Sequence, residues 1–358
     1  RKSIQMKTMK NISKCLAAIL LVVNLSSCVD LEPEPLSFFA PENTFMDKEG
    51  LEALLITSRK QIKWEWFGDA FNAGYCETPL VYEYAWSDVS VMGAPEVKEI
   101  HNLETQLTPT TSMALHLRYW DLAWNGIKYA NTVISRVPKS TIDNETDKNE
   151  LLAEGYFHRA YWYYLLVNQW GDVPLLLEEI TEPKLDFYTV SRMKILQQMK
   201  TDMEFAVKWL PKNVKPGCVN RAAGEHLLAK IYLSTGDFQL AVDATTRCIN
   251  DYGLHLMKER FGVNAEDASL DVFNDLFQED NISSSENKEA IFVVQERYGI
   301  EGNVAPNGSA RMRNFVPYWC NGAAVKTPDG KPGTTYDAGP YDGYEWVEKL
   351  GRRSEERR

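Results

Sequence analysis

The chain has 358 residues, 44% hydrophobic and 25% charged, a composition that excludes wholesale disorder and allows one large domain or a few smaller ones. With 39 Lys and Arg against 50 Asp and Glu, the net charge is −11. The body of the sequence carries no basic stripe, which argues against a nucleic-acid partner.

Residues 1–27 read as an export signal rather than part of the fold. Lys7, Lys10 and Lys14 precede an apolar run, Cys15 to Leu25, that is too short to cross a bilayer as a helix. Initiation is expected at Met6 or Met9. Leu25-Ser26-Ser27-Cys28 resembles a bacterial lipobox, which makes Cys28 the expected lipid-attachment residue; an ordinary signal peptide cut near Ser27 is the alternative. Cleavage would remove five basic groups and no acidic ones, leaving a net charge of −16. Residues 28–36 then form a lipidated tether, in which Asp30, Glu32 and Glu34 alternate with Leu31, Pro33 and Pro35 and keep the segment extended and solvated. Acidic residues behind such a cysteine resemble a surface-export signal of Bacteroidetes lipoproteins, although a simple soluble spacer fits as well. Cys76, Cys218, Cys248 and Cys320 are widely scattered without a CxxC pair, which speaks against zinc and leaves three possible disulfide pairings open.

The body reads as mainly α. Thr44 with Asp47 predicts a capped helix reaching about Phe67. Met113, Leu117, Trp120, Trp124, Ile127, Asn131, Ile134 and Val137 advance by threes and fours as one apolar stripe, stopped by Pro138. A helix follows from about Lys148 to Trp170, apolar all round at Ala160 to Val167 and therefore buried on most sides, before a turn at Gly171 to Pro174. Ser191 to Leu210 is amphipathic and ends at Pro211; Arg221 to Ser234 and Asp237 to Tyr252 form the clearest pair. In that pair Leu228, Ala229, Tyr232, Gly236, Phe238 and Ala241 sit at tetratricopeptide offsets. Small Ala229 and Ala241 permit close approach, Tyr232 and Phe238 are expected to fill the seam, and Asp237 to cap the second helix. Thr245 and Cys248 depart from the motif. The expected architecture is a tetratricopeptide-like helical solenoid, with pairs within about 112–252. Residues 64–109 and the stretch from 290 interrupt it: the first is aromatic and irregular, the second opens on a strand-like Ala290 to Val294 and turns rich in Gly, Pro and Asn. Long irregular insertions on a rigid frame commonly carry function.

Several of these pieces occur together in one order. After the lipobox and acidic tether come Tyr129-Ala130-Asn131-Thr132-Val133-Ile134, then Ala153 to Tyr163 (AEGYFHRAYWY) and Trp170-Gly171-Asp172-Val173-Pro174-Leu175. Leu227 to Leu233, Gly236-Asp237-Phe238 and Glu289-Ala290-Ile291-Phe292 follow. The ordered set resembles the SusD/RagB family of outer-membrane nutrient-binding lipoproteins, over nearly the whole chain to about residue 346. The resemblance implies a SusD-like helical domain over 37–346, with ligand-binding insertions at about 64–109 and 295–346. It also implies a surface-exposed, lipid-anchored protein of the outer membrane that captures oligosaccharide, or less often peptide, and delivers it to a SusC-like TonB-dependent transporter. Such proteins are not enzymes and use no cofactor. Family members usually continue beyond this length, so the charged tail at 347–358 implies a C-terminally shortened chain.

Saccharide rings stack on aromatic faces while their hydroxyls need polar partners. The first insertion offers Tyr82, Tyr84 and Trp86 beside Asp88; the second offers Tyr298, Tyr318 and Trp319 near Arg311, Arg313 and Asn321. The resemblance favours Trp86, Trp319 and Tyr298, with Tyr84, Asp88 and Asn321 beside them, as the glycan site; packing of each ring onto the frame is the alternative. Glu154, His158 and Arg159 on an apolar helix suggest a buried polar network that fixes helix register, rather than a catalytic or metal cluster. Asn131 on the apolar stripe is expected to make an interhelix hydrogen bond. No HExxH, phosphate loop or nucleophile elbow is present. A protein-binding scaffold of the envelope and, less favoured, a carbohydrate-cleaving enzyme are the competing readings.

Overall fold

The computed structural model of the chain describes residues 46–66 and 114–295, all within the compact unit Phe45–Arg358. These residues are mainly helical: α1 (Lys48–Trp66), α2 (Ala114–Arg136), α3 (Glu145–Trp170), α4 (Arg192–Trp209), α5 (Arg221–Thr235), α6 (Phe238–Asn250) and the short α7 (Val272–Leu276). A two-residue antiparallel pair, β1 (Val173–Pro174) with β2 (Thr189–Val190), closes the connection between α3 and α4. Each long helix from α2 onward packs on the next, and α1 lies against α2 and α3. This is the serial packing expected of a helical solenoid.

The boundaries follow from local chemistry. Asp47 Oδ1 accepts the Gly50 N–H at 2.8 Å and starts α1, so Asp47 is the cap; Thr44 lies outside the described residues. Asn144 caps α3 by accepting the N–H of Thr146 at 2.8 Å, which starts that helix three residues before Lys148. Pro138 ends α2 through a 3₁₀ turn, Val137–Lys139. Gly236 closes α5 in the left-handed region at φ 83°, with the Asp237 N–H returning to Tyr232 O at 2.9 Å.

The helix α3 occupies the centre. No residue between Ala160 and Val167 is exposed, as the all-round apolar run predicts, and Trp162 and Leu166 are fully buried. Full burial of one such side chain is worth roughly 1.5–3 kcal/mol. Glycines let its neighbours close in. A Cβ on Gly126 of α2 would lie 2.1 Å from Trp162 Nε1, and one on Gly155 of α3 would lie 3.1 Å from Ile134 Cγ1.

Four details differ from the sequence expectation. Trp120 and Trp124 are only half-buried, because α3 covers a narrower strip of α2 than its apolar stripe offers. Asp237 stands at the start of α6 but makes no side-chain cap; Lys200 Nζ and Thr235 Oγ1 donate to its carboxylate at 2.8 and 2.6 Å instead. Tyr232 is buried in the α5–α6 seam, whereas Phe238 is 66% exposed. Residues 290–294 are irregular rather than a strand: the Ile291 carbonyl accepts from the Asn220 side chain at 2.9 Å, while Ile291, Phe292 and Val294 pack on the helical core.

Candidate functional site

The six residues expected to hold glycan, Trp86, Trp319, Tyr298, Tyr84, Asp88 and Asn321, lie outside the described residues, as does Cys28. The described frame nonetheless fixes the points from which the two insertions depart. The first departs at the end of α1. There Tyr161 Oη donates to Glu65 Oε2 at 2.6 Å, and Tyr119 Oη approaches Glu65 Oε1 at 3.4 Å. The second continues from the segment 290–295. Phe292 meets Phe157 edge-on at 6.2 Å, and Phe157 in turn stacks on Tyr161 at 6.4 Å. Phe157 and Tyr161 are one turn apart on α3, so a single helix face roots both insertions.

The same face carries the polar groups singled out in the sequence. Arg59 Nε and Nη2 donate to the two oxygens of Glu154 at 2.6 and 2.7 Å, a bidentate pair joining α1 to α3. His158 is fully buried with Nε2 3.5 Å from Glu154 Oε1, an ion-pair distance rather than a well-formed hydrogen bond. Burial opposes ionisation of Glu154, but His158 and the shorter Arg59 fork outweigh it and hold the carboxyl below the usual range. On the opposite side of α3, Arg159 Nε donates to Asp202 Oδ2 at 2.8 Å and Nη1 to Asn131 Oδ1 and Leu177 O at 3.2 and 2.7 Å. Asn131 Nδ2 donates to Leu176 O at 2.9 Å. Glu154, His158 and Arg159 are therefore a structural polar network, and Asn131 makes the expected interhelix bond. Among the described residues no cluster of His, Cys, Asp and Glu could hold a metal, and Cys218 and Cys248 are free thiols.

One feature escaped the sequence reading. Between α2 and the connection 175–188 runs a groove of about 650 Å³, walled by Trp120 and Trp124 on one side and by Ile180 and Phe187 on the other. The connection is pinned across α2 by Asn131 and by a bidentate Arg136–Glu179 pair at 2.7 and 3.0 Å. The signal available in sequence was the set of large apolar residues Ile180, Leu185, Phe187 and Tyr188 in an otherwise charged, proline-containing stretch; all four are exposed.

The described residues form a serial helical frame of the repeat-scaffold kind. Residues 77–233 match the SusD-like family model described as starch-binding, associating with the outer membrane. SusD-like protein P2 of Formosa agariphila is 27% identical over 238 residues, which span 65% of this chain and 45% of that protein. A SusD-like protein from Bacteroides fragilis superposes with a TM-score of 0.58 at 20% identity, covering 86% of this chain and 58% of that one. A laminarin-binding SusD-like protein superposes with a TM-score of 0.50 at 23% identity, covering 60% and 47%. These likenesses support a SusD-like family member. The chain spans less than two thirds of the length of each of these relatives.

Proposed function

We propose that the protein binds oligosaccharide or polysaccharide through its two insertions, outside the cell, and delivers it to a SusC-like TonB-dependent transporter. In this reading Cys28 carries the lipid that anchors it to the outer membrane. The observation that carries the proposal is the common root of the insertions. Glu65 and Phe292 are held by neighbouring rings of α3, which supports a shared site for the stretch that carries Tyr84, Trp86 and Asp88 and the stretch that carries Tyr298, Trp319 and Asn321. The family match and the laminarin-binding relative support glycan as the ligand class. Among the described residues, the buried carboxylates Glu154, Asp202, Glu225 and Asp275 are each engaged by an arginine and Glu65 by the Tyr161 hydroxyl, which supports binding rather than catalysis.

Affinity electrophoresis of the purified protein through gels containing laminarin, starch or xyloglucan tests this directly. Retardation by at least one polysaccharide is expected, and Trp86→Ala or Trp319→Ala should abolish it. Retardation that both variants retain would remove the insertions from the site; migration unaffected by any glycan in a wider panel would turn the reading toward a protein-binding scaffold.

A further inference from the structure

The short helix α7 is turned inside out. Asp275 is fully buried, whereas Phe273 and Phe277, two positions to either side and so on the opposite face, are 66% and 62% exposed. Burial of apolar area alone would select the reverse rotation. Arg260 selects this one. Its Nε and Nη2 donate to the two Asp275 oxygens at 2.6 and 3.0 Å, its Nη1 to the carbonyls of Asp267 and Leu270 at 2.6 and 2.8 Å, and its Nη2 also to the carbonyl of Asn264. The Phe261 N–H adds a bond to the Asp275 carboxylate at 3.1 Å, and Asn281 Nδ2 donates to the Asp275 carbonyl at 3.1 Å. The carboxylate is thus locked inward and the two rings outward, one turn apart with centroids 5.0 Å from each other and planes at 58°. Two phenyl rings kept in water by a buried ionic cage present an anchor to a partner.

The surrounding charge narrows that partner. From Phe261 to Asn287 the chain carries seven carboxylates and no Lys or Arg, and the cage occupies Arg260 itself. Asp271 lies two positions before Phe273, and Glu279 and Asp280 lie two and three positions after Phe277; all three are exposed. Anionic lipid headgroups would be repelled here, and so would the same face of a second copy. Among the described residues no group of His, Cys, Asp and Glu is spaced to hold a metal ion, which sets aside a divalent cation. A Lys or Arg side chain between apolar neighbours fits both features. Its aliphatic stem covers a phenyl ring, its cationic head meets the negative ring face and the carboxylates, and the apolar neighbours complete the cover of the rings.

We propose that the outward face of α7 is a docking surface for a cationic polypeptide segment, one that sets Lys or Arg between apolar residues, gripped by Phe273 and Phe277 and flanked by Asp271, Glu279 and Asp280. It uses none of the residues of the glycan reading and stands or falls apart from it. Fluorescence polarisation of the full chain with three short labelled peptides tests it: one of Lys and Leu, one with Ser in place of Leu, and one with Glu in place of Lys. Only the Lys/Leu peptide should bind, and raising NaCl to about 0.5 M should weaken it about threefold or more. Phe273→Ser/Phe277→Ser should weaken it about tenfold or more at an unchanged melting temperature, because neither ring belongs to the core. Asp271→Asn keeps the oxygen that accepts the Asn274 N–H and should weaken it about two- to threefold. No binding of the Lys/Leu peptide at up to about 1 mM overturns the docking surface, as does equal binding of either control peptide or binding that survives both Phe changes. Phe-dependent sedimentation with phosphatidylglycerol vesicles would assign the face to a membrane, and Phe-dependent self-association in the ultracentrifuge to a second copy; either overturns the proposal. Retardation by polysaccharide should be the same in the double variant as in the native chain, and its selective loss would make the face part of the glycan site and equally overturn the proposal.

Discussion

Gly126→Ala is expected to destabilise the protein, against the direction that helix propensity alone dictates. In an exposed helix interior, alanine is favoured over glycine by about 1 kcal/mol. At Gly126, however, the new Cβ would lie 2.1, 2.3 and 2.4 Å from Nε1, Cδ1 and Cε2 of Trp162. Carbon contacts are comfortable at about 3.5–4.0 Å, so helix or indole must retreat by more than 1 Å. The indole has little room: Trp162 is fully buried, with Tyr161 edge-on at 5.2 Å. Overpacking of this kind costs about 1–3 kcal/mol and sometimes more. Because the contact is with the rigid ring itself, the upper end applies, and a net loss of about 2 kcal/mol remains after the propensity gain. At about 2–4 °C per kcal/mol for a domain of 150–250 residues, the melting temperature should fall by several degrees. Adding Trp162→Leu, which removes the ring whose Cδ1, Nε1 and Cε2 meet the new Cβ, should recover part of the loss beyond additivity, a coupling visible in a double-mutant cycle followed by urea denaturation. A Gly126→Ala protein that melts at or above the native temperature would refute the close α2–α3 approach.

Two further outcomes follow from the polar framework. Glu154→Gln takes the bidentate partner from half-buried Arg59 and leaves only the more exposed Glu52, 3.6 Å away, as counter-charge, which should cost about 1.5–3 kcal/mol by chemical denaturation. The Glu154 carboxyl is held below its ordinary range in the fold, so its contribution is complete above the unfolded carboxylate pKa and is lost as pH falls through the lowered folded value. The native protein should therefore lose stability in acid more steeply than Glu154→Gln, and parallel pH–stability curves would contradict this. Asn220→Ala removes both the cap of α5, whose Ala223 N–H it accepts at 2.8 Å, and the amide that holds Ile291 O. About 1 kcal/mol of stability should go with the cap, and limited proteolysis should cut earlier near residues 290–295 than in the native chain.

Most helix ends were legible because they are written in local chemistry: Pro138, Gly171, Pro211 and Gly236 act within a few residues of themselves, whereas the Asn144 cap of α3 went unread. The buried network was legible because Glu154, His158 and Arg159 stand out within an apolar helix. What escaped depended on partners distant in sequence. Asp237 has the right identity for a cap, but Lys200, thirty-seven positions away, competes for its carboxylate. Trp120 and Trp124 have the right spacing for core, but only the width of α3 decides how much of the stripe is covered. Gly126 left no signal, since periodicity registers side chains and the constraint there is the absence of one. Of the candidate site, the aromatic insertions were visible as composition, while their common anchorage on Phe157 and Tyr161 required the fold.

That anchorage gives the ionic groups of α3 a purpose beyond stability. Buried ion pairs return little net energy, because desolvation consumes most of the Coulombic gain. Apolar packing alone would let an all-round hydrophobic helix such as α3 slide or rotate at small cost. Glu154 and Arg159 prevent this by addressing different neighbours: Glu154 takes Arg59 of α1, whereas Arg159 takes Asp202 of α4, Asn131 of α2 and the Leu177 carbonyl. A shift of one turn, about 5.4 Å, would strip both of every partner at once. Register fixed in this way sets two geometries together. Toward α1 it places Phe157 and Tyr161 beneath Phe292 and Glu65, where the insertions depart. Away from α1 it holds the connection 175–188 across α2, so that Phe187 faces Trp120 and Trp124 over the groove. Loss of Glu154 should therefore loosen the insertion roots first, and loss of Arg159 the groove wall first, although the two residues are only five positions apart on the same helix.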